Sequence, residues 1–340
     1  MPAPTAAEEE MMMDEVRLGT IGSGVIVHSI LDGVQRTEGI RLTAVYSRKE
    51  ETGRALAQDY GAERVYTDLN EFLTSDAINT VYIATPNLLH YEQAKKALLA
   101  GKHVICEKPF CTQLAQAQEL AALAKERHLL LAEAVPTAYL PNFMILKREL
   151  PKVGKIKLVM SNYSQYSSRY DKLLAGELPN IFNPAYGGGC LMDINFYNAY
   201  LNTALFGSPS EAAYYPNLYN NQIDTSGLLV MRYDGFISQA AGAKDTWGVN
   251  FFQIEGEQGY IYVAGGSNGL AQIEVVTKTS SEQFNEQPDP DRLYYEIQTL
   301  TKLFLLEDYR TIEKNMAVTL KNIALLETVR KAAGIYFPGE

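Results

Sequence analysis

From residue 16 to residue 134, short apolar runs alternate with helical patterns, and the links between them are only a few residues long. The runs at 16–21, 41–46, 64–66, 80–84, 104–106 and 129–134 have the length and apolar character of buried strands. After the first run, Val25, Ile30, Leu31 and Val34 share one helix face, and 49–60, 68–73, 88–100 and 112–127 are helical in pattern. Gly101 is placed to close the third of these segments. Thr112 is the expected N-cap of the last, whose face is Leu114, Ala117, Leu120, Ala121 and Leu123. Strand-helix alternation with short links leaves few folds open. It predicts an α/β architecture with a doubly wound parallel sheet.

Open sheets of this kind gather ligands at the carboxyl ends of their strands. Four polar stretches fall there. Gly22-Ser23-Gly24, followed by Val25 and Ile26, has the Gly-x-Gly of a dinucleotide turn. The third glycine position of that fingerprint is Val27, so the turn alone is equally a structural strand-to-helix bend. The second strand ends in Ser47-Arg48-Lys49, where NAD-specific folds carry an acidic residue for the ribose 2′-hydroxyl. A hydroxyl and two cations suit the 2′-phosphate of NADP instead. Glu50 and Glu51 keep NAD open, and a solvated basic helix start is the plainer alternative. Thr85-Pro86-Asn87 and Glu107-Lys108, with Pro109 behind the lysine, complete the set. All four would line one crevice, which predicts a dinucleotide site for NADP by preference or for NAD.

After residue 135 the pattern changes. A helix is expected at 139–150, with strands at 155–163, 227–233, 236–243, 249–255 and 259–263. Ile156, Leu158 and Met160 are the expected buried face of the first of these strands. Asp234-Gly235 is a two-residue hairpin signal, so this half reads as α+β with a mostly antiparallel sheet. The stretch 280–292 reads as a loop, and a final helix spans 312–333 with Met316, Leu320, Ile323, Ala324 and Val329 inward. The division is a 1–13 extension, a 14–135 dinucleotide domain and a 136–340 second domain. Within the last, Gly187-Gly188-Gly189 opens a helix that carries Asp193 and Tyr197 four residues apart on one face. Three glycines permit close backbone approach to a ligand, and a carboxylate can orient a phenol that exchanges a proton. A first-turn dipole partner and a packed core tyrosine are the structural alternative.

A net charge of −10 over 340 residues argues against a nucleic-acid partner, which needs clustered cations. No apolar run has the length of about 20 residues that a membrane helix needs. Cys106, Cys111 and Cys190 form no Cys-x-x-Cys pair and read as small core residues of a cytoplasmic protein. No metal site is expected. The first 13 residues, with three consecutive glutamates followed by three consecutive methionines, match neither a signal nor a transit peptide. A disordered extension or an expression remnant is expected there.

Four stretches together resemble the glucose-fructose oxidoreductase / inositol dehydrogenase / rhizopine-catabolism (Gfo/Idh/MocA) family. They are the glycine turn from Gly19 to Gly24, ATPNLLH from Ala84 to His90, GKHVICEKP from Gly101 to Pro109, and GGGCLMDINFY from Gly187 to Tyr197. The resemblance implies a Rossmann domain, a C-terminal domain with a large sheet used for homodimer or homotetramer contacts, and hydride transfer between NAD(P) and a sugar- or polyol-like secondary alcohol or ketone. It implies Lys108, Asp193 and Tyr197 as the catalytic set, with Thr85, Pro86, Asn87, His90 and Glu107 bordering the cofactor. Tyr139, Asn162 and Arg169, with Tyr166 and Tyr170, are candidates to face the substrate, against packing as the alternative. Asn195 stands where the family commonly has glycine, and Tyr197 where many members have histidine. The tyrosine leans towards members such as dimeric dihydrodiol dehydrogenase. A non-catalytic dinucleotide-binding regulator of the same fold is the second reading.

Overall fold

The computed structural model describes residues 13–340; the expectation for the N-terminal extension lies, up to residue 12, outside the described residues. The first half runs β1 (Val16–Ile21), α1 (Val25–Gln35), β2 (Ile40–Tyr46), α2 (Glu50–Tyr60), β3 (Arg64–Tyr66), α3 (Leu69–Thr74), β4 (Thr80–Ile83), α4 (His90–Leu99), β5 (His103–Glu107), α5 (Leu114–Glu126) and β6 (Leu131–Ala134). Six parallel strands lie in the order β3-β2-β1-β4-β5-β6. Strand order reverses between β1 and β4, so a crevice opens above their carboxyl ends. One sheet face buries Leu18, Val45 and Ile105 with Ile30 and Leu31 of α1. The other buries Val81, Val104 and Cys106 with Ala94, Leu98, Ala117 and Leu120.

The second half contains α6 (Pro141–Glu149), β7 (Ile156–Ser164), α7 (Tyr170–Leu174), α8 (Cys190–Asp193), α9 (Asn195–Phe206), β8 (Glu211–Leu218), β9 (Asp224–Tyr233), β10 (Phe236–Ala243), β11 (Phe251–Gly256), β12 (Gly259–Ala264), β13 (Gln272–Thr277), β14 (Ser281–Phe284), α10 (Arg292–Leu305) and α11 (Tyr309–Ala332). Eight strands form one sheet in the order β14-β13-β12-β11-β7-β10-β9-β8, antiparallel except for the β7–β10 pair. The β9–β10 hairpin turns at Asp234-Gly235 as expected, with Gly235 at φ +86° and Tyr233 opposite Phe236. The inner sheet face packs on α9.

Four local expectations change. On β7 the buried residues include Val159, Ser161 and Tyr163, at 0%, 3% and 6% exposure, so Leu158 and Met160 lie on the outer face, while Ile156, beyond a register irregularity, packs half-buried against the core as expected. Both faces of this strand are apolar enough to be buried, and the helix packed on one side decides between them. Thr112 does not cap α5. The Leu114 amide instead donates to Glu327 of α11 at 2.7 Å, a partner supplied from across the sequence. The 280–292 stretch includes β14, an exposed edge strand whose Ser, Glu and Gln composition hides the pairing. Beyond it lies α10, which the sequence carries as Leu293, Ile297, Leu300 and Phe304 behind the N-cap Asp291.

Candidate active site

Lys108 follows directly on β5, whose paired neighbours β4 and β6 fix it at the crevice floor. Its Nζ donates to Asp193 twice, to the carbonyl at 2.9 Å and to Oδ1 at 2.8 Å. Two of the three ammonium donors are thereby used, and one is left. The backbone behind the lysine is pinned by His90, buried, with Nδ1 2.9 Å from the Pro109 carbonyl and Nε2 2.8 Å from that of Thr85. Burial outweighs those two carbonyls and holds the imidazole below its ordinary pKa. His90 was expected to border the cofactor. It is buried as a brace between the strand ends it joins, each ring nitrogen facing one carbonyl.

Asp193 is not on one helix with Tyr197. The chain breaks at Ile194, so Asp193 ends α8 and Tyr197 lies in the first turn of α9. The break turns both side chains onto Lys108, whose Nζ lies 4.9 Å over the centre of the Tyr197 ring. A second lysine, Lys244 at the end of β10, is 4% exposed and also pairs with Asp193. Burial alone would raise the Asp193 pKa, but the two ammonium groups pull it below the usual carboxylate range. Burial likewise opposes the charge on Lys108, and Asp193 more than restores it. One carboxylate between two ammonium groups leaves the cluster with a net positive charge.

Arg292, the first residue of α10, donates from Nη1 to the Tyr197 hydroxyl at 3.4 Å and lies over the same ring. Tyr163 of β7 packs against Tyr197 with ring centres 5.9 Å apart, and burial pushes its phenol up to about 12. Lys244, Arg292 and Tyr163 have no short-range signature. Each reaches the site from a separate element, and only the helix pattern behind Asp291 offers a trace of Arg292's placement.

The triple glycine serves the protein rather than a ligand. A side chain at Gly188 would strike the Ile181 carbonyl at 2.5 Å, and one at Gly189 (φ +114°) would strike Asp224 at 2.1 Å. The Asp224 carboxylate fills the start of α8, accepting from the Leu191 amide at 2.6 Å and from the Tyr214 hydroxyl at 2.6 Å. The expected ligand approach at this helix end is thus replaced by an internal anion.

The glycine turn does present an open cradle. Gly22, at φ +120°, lies so close to the Ala84 carbonyl that an added Cβ would sit 2.4 Å from it. Gly24 has nothing within 4 Å of such a Cβ, and α1 has no side-chain cap. Free amides at this helix start, beside Ser23, Val25 and Ile26, fit a pyrophosphate. Arg48 is exposed and makes no ion pair among the described residues; Ser47 is buried, with its hydroxyl accepting from the Lys49 amide at 3.4 Å. Thr85 donates to Gln93 at 2.6 Å, and Asn87, beside Pro86, donates to the Gly187 carbonyl at 2.7 Å, tying the crevice to the second half. Glu107 turns inward to Tyr82 and its own neighbour's amide.

The candidates for substrate contact are mostly used elsewhere. Tyr139 is 8% exposed in the core of the parallel sheet and donates to the Glu133 carbonyl. Asn162 is on the outer face of β7, bonded to the Val249 carbonyl, because side chains alternate and Tyr163 takes the inner face. Arg169 is exposed at the start of α7. Tyr166 stacks on Trp247 and donates to Asp171, and Tyr170 packs on both Tyr166 and Phe182.

A parallel sheet with an uncapped glycine turn, and a lysine held by an aspartate beside a tyrosine at the same edge, defines a dinucleotide-binding oxidoreductase. Residues 16–134 match the model of an oxidoreductase family with an NAD-binding Rossmann fold, and residues 151–262 match the GFO/IDH/MocA C-terminal domain. An uncharacterized oxidoreductase, YgjR of Escherichia coli, is 36% identical over 96% of this chain and 98% of its own. The scyllo-inositol 2-dehydrogenase (NADP(+)) IolU of Bacillus subtilis is 33% identical over 96% and 99%. The 3-ketoreductase KijD10 from Actinomadura kijaniata, solved with NADP and TDP-benzene, shares the fold at a TM-score of 0.81, with 23% identity over 95% of this chain and 100% of that one. The chain belongs to the Gfo/Idh/MocA family. It is an NAD(P)-dependent oxidoreductase of small-molecule alcohols and ketones. Among the described residues no helix is long and apolar enough to cross a membrane.

Proposed function

We propose that the chain interconverts a secondary alcohol and a ketone on a sugar- or polyol-like ring, with Lys108, Tyr197 and Asp193 as the working residues. The observation that carries this reading is the Asp193 bridge between Lys108 and Lys244, set against Tyr197 at the mouth of the dinucleotide crevice. The nicotinamide cofactor supplies or takes the hydride. In oxidation the remaining proton of the hydroxyl goes to Tyr197, and in reduction it returns from Tyr197 to the new alkoxide oxygen. The unused donor of Lys108 holds that oxygen, and the positive cluster favours the negative charge it develops. Asp193 keeps Lys108 ionised and aimed, and Arg292 holds the Tyr197 hydroxyl in place. The scyllo-inositol 2-dehydrogenase activity of IolU supports a ring-borne hydroxyl as the target. Replacing Tyr197 with Phe is expected to lower turnover by about 10²–10⁴-fold with cofactor affinity retained. Equal turnover in that variant on a verified substrate overturns the assignment.

NADP is the preferred cofactor in this reading, with Arg48 as the phosphate partner. A second copy of the chain covers the outer sheet face, where Leu158, Met160, Ile237, Tyr260 and Tyr262 lie partly open among Gln239, Gln253 and Glu255. Light scattering of wild type against Leu158→Glu/Ile237→Glu tests this; identical masses overturn it.

A further inference from the structure

Among the described residues, Glu296 is the one carboxyl with both oxygens buried and without a hydrogen-bonding partner. It is 0% exposed. It lies one helical turn after Arg292 on α10. Arginine and glutamate four apart on a helix are neighbours that ordinarily attract. Here they form no ion pair, and the guanidinium is on Tyr197 instead.

The surroundings explain why the carboxyl does not claim the arginine. Glu107 of β5 and Glu133 of β6 face it from the parallel sheet, together with Asp291 and Arg292 of its own helix. The buried phenols of Tyr82, Tyr139 and Tyr200, from β4, from the segment before α6 and from α9, are near enough to feel a charge on Glu296. Three enclosed glutamates, with Asp291 at the edge and only Arg292 and Lys108 as nearby cations, do not all ionise at low cost, and an ionised carboxylate without donors is costly to bury. Burial first, then Glu107, pushes Glu296 well above the ordinary carboxyl range, and Arg292 opposes this without reversing it. The same enclosure means that no bound ligand reaches Glu296 unless the protein opens.

We propose that Glu296 is a positioning residue that acts by staying protonated, leaving the Arg292 guanidinium to the Tyr197 hydroxyl, and that its ionisation recaptures the arginine and disarms Tyr197. The proposal rests on the proton-carrying role of Tyr197 given above. It assigns to a side chain that never touches substrate the alkaline limit of turnover, and it predicts an effect on kcat rather than on KM. Loss of the Glu296 proton moves only that proton and the guanidinium; no other bond changes.

Two measurements test it. In the first, kcat is followed against pH for wild type and Glu296→Gln, which fixes the neutral form. The alkaline limb of the variant is expected at least one pH unit above that of the wild type, with KM following one curve in both. Superimposable kcat profiles overturn the proposal, as does a variant with normal melting temperature and cofactor affinity that has lost turnover at every pH. In the second, which needs no turnover, the infrared spectrum of the wild-type protein is recorded against pH. At pH 7 part of the protonated-carboxyl C=O absorption is expected to be missing from Glu296→Gln, the remainder belonging to neighbours such as Glu133, and in the wild type that part is expected to fade at the pH of the kcat limb. If the glutamine variant does not fold, Glu296→Met serves the same comparison. Equal protonated-carboxyl absorption in wild type and Glu296→Gln at pH 7 overturns the proposal. Tyr197→Phe separates this outcome from the parent reading: full turnover there sinks the role of Tyr197 itself, whatever the spectra show.

Discussion

Two clusters of charge meet at Lys108, and they are built on opposite terms. Towards the second half of the chain, Asp193 stands between Lys108 and Lys244, and each charge faces an opposite one. Towards the parallel sheet, Glu107, Glu133 and Glu296 share an enclosed pocket with Arg292, whose hydrogen bond goes to Tyr197. Burial pushes the carboxyl pKa up in both places. In the first cluster two ammonium groups reverse that push; in the second the donors are a backbone amide and hydroxyls, and the push prevails. A carboxyl is therefore held ionised on one side of the lysine, while on the other side burial pushes the carboxyls towards their neutral form. Cation placement, not depth, makes the difference.

Removing the shared residue has the largest expected effect. Lys108→Ala takes away the oxygen-binding donor and half the charge opposite Asp193. A fall in kcat on the order of 10⁴-fold is expected, near 5 kcal/mol of barrier. Cofactor affinity measured by fluorescence titration should stay within a few-fold. Turnover near wild type would break the comparison at its centre.

Asp193→Asn tests the paired cluster directly. It leaves two buried lysines without an anion, and breaking a buried pair in this way costs about 3–5 kcal/mol of stability. Because the folded carboxyl is depressed below its ordinary value near 3.8, its stabilisation is present above that pH and is lost as the pH falls further. Denaturant titrations should show wild type and variant converging as the pH drops below 4. Curves that stay parallel contradict the assignment.

The unpaired cluster should show the reverse sign. Glu133 is raised from about 4.5 to about 7, chiefly by burial, against the Thr319 hydroxyl and Phe110 amide that donate to it. Its contribution to stability is full below pH 4.5 and is lost as the pH rises towards 7. Glu133→Gln removes that dependence. The stability of the variant relative to wild type should climb by about 3 kcal/mol between pH 4.5 and 7 and then level off. A flat difference across that range breaks the contrast between the clusters.

The smallest effect concerns a cation outside both. Arg48→Ala is expected to lower the affinity ratio of NADPH to NADH by about tenfold, or 1.4 kcal/mol. An unmoved ratio means that the exposed guanidinium does not hold the 2′-phosphate.

The first half of the molecule was largely legible in the sequence. A strand buried on both faces is a continuous apolar run, and the polar residue that ends it marks the carboxyl edge; Lys108 was found in that way. The second half was less so. On a sheet with one open face, a shift of one residue exchanges the two faces, and this misplaced Asn162 where Tyr163 belongs. Asp193 and Tyr197 were visible as a pair, but their spacing suggested one helix, and the turn at Ile194 that aims both at Lys108 was not.

The sequence alone determined the parallel sheet, the glycine turn at its crevice and the lysine at a strand end, because periodicity and turn chemistry are local. Only the tertiary structure decided which carboxylates are charged. Lys108 meets Asp193 across 85 residues, Lys244 meets it across 51, and Arg292 meets Tyr197 across 95. The ionisation of a buried group depends on which cation the fold brings within a few ångströms, and no local pattern along the chain records that distance.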